Sequence, residues 1–450
     1  MKLLAFLFVL LSACHANAEY TCQSCVQVLP TATATAIATS TATPNPTATA
    51  TPLPTATATP NPIVTINFAE DTQIIFPSVG VGFQSTQRPL NEVSNPRGIP
   101  STSEVFRWYM HETNSAPGVF NWSLVDAAKN KAVAQGQTLN VGWIAFDPYG
   151  GSWLRNHIPG TMTRCTEEGG GSYFAPDFNS PTTQQRHKEF VEAFAARYGD
   201  DPAIEHVDAR SWGSYGENHH YCQVVTSTGA PLPLPSTTAR ALIIKHYNDA
   251  LPNKLKVVIL DDVISRTEGK RLGMGWRADC FGGINHEGTL YPQWLNNPDM
   301  KEVWRDAPVL LEPCGALSST SYPIATKIDQ IIAKHASLIN TKNGFNVPEN
   351  QWSEWQRLLR KLGYRFVLRR AVINQGLTLH IENVGIAPNY KPLRVENATT
   401  GVAVTLSKVM PGETRLAVLP GNVGDVIRFS MDGKVVRTAN QTWNNGVLLQ

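Results

Sequence analysis

The stretch Val207-Asp208-Ala209-Arg210-Ser211-Trp212-Gly213-Ser214-Tyr215-Gly216-Glu217 decides how the rest of the chain is read. It opens as a buried strand, with Ile204, His206, Val207 and Ala209 behind a helix-like run that ends at Arg197-Tyr198-Gly199. It closes in Gly-x-x-Gly-Glu, where small residues stop the strand and leave a carboxylate at its C-terminal end. In an enclosed parallel sheet that end is where ligands bind and chemistry is done. Trp212 and Tyr215 flank the acid, as suits a site that stacks on flat sugar faces. Taken alone, the motif reads equally well as a strand end with a solvated glutamate. The other strand ends decide between the two.

Working outward, strand-like runs occur at residues 79–83, 105–109, 139–144, 256–260, 272–276, 309–311 and 336–339, besides the opening stretch. Helical patterns fill the gaps, over 122–135, 183–198, 238–251 and 324–334. Eight strands alternating with helices over residues 63–362 predict an α/β fold, a (β/α)8 TIM barrel. A doubly wound open sheet is the alternative, but no Gly-rich phosphate loop supports it. After 363–368 the period changes. Short strands at 377–381, 393–395, 402–406, 415–418 and 426–429, parted by Gly, Asn and Pro turns, predict a small antiparallel β-sandwich over 363–450. Such a domain either closes the barrel or binds glycan.

The chain has 450 residues and a formal net charge of +2, which gives no reason to expect nucleic acid. Residues 1–18 read as an export signal: one Lys, an apolar run, then small residues. Leu11-Ser12-Ala13-Cys14 resembles a lipobox, which would lipidate Cys14, whereas Ala16-Asn17-Ala18 fits ordinary signal peptidase. The expected setting is an outer-membrane or cell-surface lipoprotein, or a secreted protein, touching a membrane only through that lipid. Residues 19–62 form a Thr/Ala/Pro-rich linker that cannot bury apolar surface and favours extended polyproline II. Cys22-Gln-Ser-Cys25 has no second ligand pair, so a local disulfide or no role is expected there.

On a barrel the strand ends bring a consistent set of groups to one face. The second strand supplies Arg107 and His111, the third Trp143 and Asp147, and the fourth Trp212, Tyr215 and Glu217. Asp261 and Asp262 follow the fifth, Arg277 and Asp279 the sixth, Glu312 the seventh and Asn340 the eighth. Adjacent side chains on a strand point to opposite faces, so only one of Asp261 and Asp262 can face the mouth, and Asp262 is taken for it. A mouth rich in acids and aromatics suits a neutral polyol. Cleavage of a glycoside needs one protonated and one ionised carboxyl group, and Glu217 and Glu312 are the best pair. An ion pair with Arg277 is the competing role for Glu312. His219 and His220 lack a third ligand at helical spacing, so no metal or other cofactor is expected. No Gly-x-Ser-x-Gly elbow is present for a serine hydrolase.

The run 107–122, ending Pro-Gly-Val-Phe-Asn-Trp, resembles the second-strand signature of clan A glycoside hydrolases. Pro176-Asp177-Phe178-Asn179, Trp212 to Glu217, Gly275-Trp276-Arg277-Ala278-Asp279 and 363–368 are similar to a secreted bacterial subgroup of unknown function that joins such a barrel to a small β domain. The resemblance runs from about residue 63 to the C-terminus. It implies Glu217 as acid/base, Glu312 as nucleophile and a retaining mechanism. Two departures stand out. Gly216 replaces the usual Asn before the acid/base, and the subgroup's Gly-Glu-Trp-His is Gly-Glu-Asn-His here.

Together these readings predict an exported, monomeric hydrolase of O-glycosidic bonds in polysaccharide or oligosaccharide. Arg107, His111, Trp143, Asp147, Trp212, Tyr215, Asp262, Arg277, Asp279 and Asn340 would bind substrate. A non-catalytic glycan-binding protein on the same barrel is the alternative, favoured by the missing Asn. Four cysteines fall in loops after strand ends, and neighbouring loops pair them as Cys165–Cys222 and Cys280–Cys314. Ligation of a metal by these thiols is the alternative to the bridges.

Overall fold

The computed structural model describes residues 62–145, 153–165, 172–219, 224–226, 234–318, 323–342 and 344–450. Cys14, Cys22, Cys25, Asp147, His220 and Cys222 lie outside the described residues, as does the side chain of Cys165. The readings that rest on them, including the Cys165–Cys222 bridge, fall there too. No helix among the described residues is long and apolar enough to cross a membrane.

Eight parallel strands close into a barrel: Gly82–Thr86, Ser103–Tyr109, Thr138–Ile144, Ile204–Asp208, Leu255–Ile259, Gly275–Phe281, Val309–Pro313 and Leu338–Asn340. Leu338 pairs with Gly82, so the eighth strand seals against the first. Helices cover the outside, among them Ser123–Ala134, Pro181–Tyr198, Thr237–Ala250 and Ile324–Ala333. Pro181–Tyr198 shows why they form. Ser180 caps its first turn by accepting from the Thr182 N–H, and Pro181 occupies the first helical position, where its missing N–H costs nothing. His187, Phe190, Val191, Phe194 and Tyr198 then fall on one buried face. The three aromatics pack with Leu139, Val141, Ile204 and Val207 of the third and fourth strands. Each buried aromatic or branched side chain contributes about 1.5–3 kcal/mol.

Two strands are displaced from their predicted positions. The first begins at Gly82, not residue 79, because Gly80 and Gly82 take positive φ (71° and 110°) and break the extended backbone before it. The sixth begins at Gly275 because Leu272 still caps the preceding helix and Gly273 (φ 72°) turns the chain. There is a steric reason for glycine at 275, where a Cβ would lie 2.0 Å from the Pro308 carbonyl oxygen.

The C-terminal part forms two antiparallel sheets. One contains Phe366–Ile373, Leu377–Asn383 and Thr414–Leu419, and the other Leu393–Asn397, Ala403–Leu406 and Val426–Met431. Their inner faces share one core, with Leu368, Leu379 and Ile381 against Val395, Ile427 and Phe429. The strand Val64–Asn67, placed with the barrel by sequence, pairs with Phe366–Ile373 as an edge of the first sheet. Val81, just ahead of the first barrel strand, also joins this core. Lys391 reaches Glu205 at 2.6 Å, and the Tyr390 hydroxyl donates to the Trp304 carbonyl at 2.7 Å. These contacts fall at the N-terminal ends of the barrel strands. The sheets therefore close the end of the barrel opposite its C-terminal mouth.

Candidate active site

Period-two alternation builds the site from the fourth strand upward. Val207 and Ala209 point out into the apolar layer under the helices. His206, Asp208 and Arg210 point in and line the barrel interior together with Arg107, Arg277, Glu312 and Asn340. Arg210 is almost fully enclosed, at 2% exposed. Glycine at 142 makes room for it, since a Cβ there would lie 2.8 Å from Arg210 Cδ.

The result is a compact network of opposite charges. Arg107 Nη2 contacts both oxygens of Glu312 at 3.0 Å, and its Nη1 lies 3.6 Å from Glu217 Oε1. Arg277 Nη2 donates to Glu217 Oε1 at 3.1 Å, with Nη1 3.9 Å from Glu312. The same guanidinium pairs through Nε with Asp208 at 2.6 Å. Arg210 is bound to that Asp208 oxygen and lies 4.0 Å from Glu217. Asn340 donates to Glu312 Oε2 at 3.0 Å and accepts from Thr86. Lys342 Nζ stands 3.1 Å from Glu312 Oε1 and 3.3 Å from Asp279 Oδ1.

Burial and charge pull these carboxyls apart. Burial alone would raise Glu312, but Arg107, Lys342, Arg277 and Arg210 outweigh it and hold the group far below the usual carboxylate range. Asp208 is likewise lowered, by Arg210, Arg277 and Arg107 against its burial. Asp279 goes the other way: burial, then the charges of Glu312 and Glu217, push it up to about 6 against Lys342 and Arg277. Asp261 is also raised to about 6, chiefly by burial, with His219, Arg277 and His286 opposing. Tyr215, Asn218, Cys280 and Lys342 all carry positive φ (55°, 57°, 58° and 50°). Strained backbone of this kind collects at functional sites.

Of the residues singled out from sequence, Arg107, Glu217, Arg277, Asp279, Glu312 and Asn340 come together in this network. Tyr215 stands at the rim, 43% exposed, with its carbonyl accepting from Arg210 at 3.0 Å. His111 lies in the short helix Met110–Thr113, its ring 5.7 Å from that of Tyr109. Three expectations are corrected. Trp143 is fully buried outside the barrel against Phe194, 4.5 Å between ring centroids, because Gly142 takes the inward position. Trp212 is buried in the same apolar layer and offers no open ring face. Asp262 caps the helix Val263–Arg271 and pairs with Arg240 at 2.7 Å, while Asp261 takes the place in the site.

Sequence reading missed Asp208, Arg210 and Lys342. Each sits two residues from a residue of the site or from its neighbour, so the polar period of two was the available signal. Glycine at 216 has a steric reason as well. Its φ is 69° and a Cβ would meet the Trp143 carbonyl oxygen at 2.9 Å, so the asparagine of the resembled family does not fit here. Cys280 and Cys314 are joined as a disulfide between the end of the sixth strand and the residue after the seventh. His286 lies close enough to complete a three-ligand cluster with them, but both sulfurs are committed to the bridge.

No protein-family model matches the chain, and no curated protein does. The closed (β/α)8 barrel followed by antiparallel sheets is the fold expected from the sequence. Solved structures with a similar arrangement include endo-glycoceramidase II from Rhodococcus sp., caught as a lactosyl-enzyme intermediate. It is 12% identical over 79% of this chain and 100% of that one, with a TM-score of 0.37. The catalytic domain of the major endoglucanase from Xanthomonas campestris pv. campestris is 10% identical over 66% and 99%, TM-score 0.35. A xylanase from Paenibacillus barcinonensis is 11% identical over 58% and 84%, TM-score 0.34. At this distance no residue role is carried over from any of them.

Proposed function

We propose that the protein hydrolyses O-glycosidic bonds in a polysaccharide or oligosaccharide by a retaining, two-carboxylate mechanism. One observation carries the reading: the C-terminal mouth gathers the carboxyl groups of Glu217, Asp279 and Glu312 around two guanidinium groups, Arg107 and Arg277, and one ammonium, Lys342. Glu312 suits the nucleophile. Its cations keep it ionised across the working range, and Arg107 and Asn340 hold both its oxygens in place. A second carboxyl must release the leaving group, and Glu217 is the one the resemblance designates.

The non-catalytic glycan-binding alternative draws on Gly216 and on how fully the carboxylates are already paired. Turnover decides between them. The wild type is expected to release products from at least one member of a broad polysaccharide library, with the anomeric configuration retained in the first-formed sugar. Glu312→Gln should lower kcat by at least about a thousandfold, because it removes the attacking oxygen while keeping the shape. Azide should restore turnover in Glu312→Ala. Full activity in Glu312→Gln would refute the reading.

A further inference from the structure

Building on the glycosidase reading, we infer that Asp279, rather than Glu217, is the general acid/base opposite Glu312. The geometry starts at Lys342. Its single ammonium contacts Glu312 Oε1 at 3.1 Å and Asp279 Oδ1 at 3.3 Å. Those two contacts bound the separation of the oxygens at about 6.4 Å. For that nearest pair of oxygens the bound is compatible with the roughly 5–5.5 Å between carboxyl groups that retaining chemistry uses.

The two candidates differ in what surrounds them. Glu217 Oε1 is within ion-pair reach of three guanidinium groups, Arg107, Arg210 and Arg277, and its side chain is 5% exposed. Asp279 has one ammonium, and its side chain is 19% exposed toward the mouth. Both hydrogen bonds it accepts from described residues, from the Cys280 N–H at 2.8 Å and from Lys342, fall on Oδ1. Oδ2 is left to carry a proton. The charged groups around the Asp279 carboxyl are Lys342 just after the eighth strand, Glu312 from the seventh, Arg277 on its own strand, Glu217 beyond the fourth and Asp261 after the fifth. Burial and the two glutamates raise Asp279 while Glu312 is lowered, the division of labour that an acid and a nucleophile require.

The chemistry balances around the shared ammonium. In the first step a Glu312 oxygen bonds to the anomeric carbon and the bond from that carbon to the leaving oxygen breaks. The Asp279 proton passes to the leaving oxygen. Glu312 has then become a neutral ester and Asp279 an anion, so the Lys342 charge passes from one to the other without moving. In the second step Asp279 takes a proton from water, the water oxygen bonds to the anomeric carbon, and the ester bond breaks. Glu312 and protonated Asp279 are restored. Glu217 becomes a positioning residue that fixes Arg107 and Arg277.

The test uses the full chain and a series of aryl glycosides, phenyl, 4-nitrophenyl and 2,4-dinitrophenyl, of glucose, galactose, mannose, xylose and cellobiose. In kcat/KM, which reads the first step, Asp279→Asn should lose at least about a hundredfold on phenyl leaving groups and less than about tenfold on 2,4-dinitrophenyl ones, which need no proton. It should also lose the basic limb of the kcat/KM profile, and Asp279→Glu should recover part of both. Glu217→Gln should lose activity by the same factor across the series. The opposite pattern, leaving-group dependence in Glu217→Gln and a uniform loss in Asp279→Asn, would overturn the inference and leave the glycosidase reading standing. Undiminished turnover in Glu312→Gln, or none by the wild type on any aryl glycoside or polysaccharide, would remove the reading itself.

Discussion

Glu104 is a carboxyl that the site does not use. It lies on the second barrel strand at 1% exposed, and neither oxygen has a hydrogen-bond partner among the described residues. Burial, then the charge of Glu92, push it up to about 8, against the opposing pull of Lys131. The sign follows from the folded value exceeding the unfolded one. Its contribution to stability is whole below about 4.5 and is lost as pH rises through about 8. Glu104→Gln keeps the shape and removes the charge. Its melting temperature should match the wild type near pH 4.5, exceed it by a margin that grows up to about pH 8, and keep that margin beyond. A margin that does not change with pH in thermal melts would contradict this account.

Among the elements, the sixth and seventh strands do most to set the site. Asp279 and Glu312 leave their ends, and the bridge between Cys280 and Cys314 ties those ends together across 34 residues of chain. A loop of that length contributes about 3–4 kcal/mol in the chain-entropy account. Cys280 also holds its residue neighbour, since its N–H donates to Asp279 Oδ1. Cys280→Ser, or the wild type in a dithiol reductant, should therefore unfold several degrees earlier. It should also lose activity at temperatures well below that transition, because the acid-bearing end of the sixth strand loosens first. Equal activity with and without reductant would show that the bridge stabilises the fold without positioning Asp279.

At the scale of the whole molecule, the C-terminal sheets are part of the barrel's closure. They supply partners for the strand Val64–Asn67, for Val81 and for Glu205, all at the end away from the mouth. Gly363 lies so close to Val81 that a Cβ would stand 2.4 Å from it. A chain ending at residue 362 would expose this apolar and charged surface at once. It should be insoluble, or soluble without a cooperative melt by circular dichroism. A soluble, cooperatively unfolding fragment would make the sheets an independent module and reopen a glycan-binding role for them.

Periodicity carried the reading of the fold a long way. Alternation of apolar runs with helical patterns put eight strands in order, and the shift to short strands after residue 363 marked the sheets. It carried the site partway: acids and arginines directly after strands were legible, because the end of a parallel strand is a place that local sequence defines. What only the tertiary structure decided was direction and partnership. Trp143 and Arg107 looked alike as strand-end candidates, but the pleat turns one outward to Phe194 and the other inward to Glu312. Asp261 and Asp262 exchanged roles for the same reason, since one residue of register flips every side chain. Asp208, Arg210 and Lys342 became site residues only when closure of the barrel brought strands four, six, seven and eight within ion-pair reach. Which carboxyl holds a proton depends on how many cations meet it across that closed space, and no stretch of chain encodes that by itself.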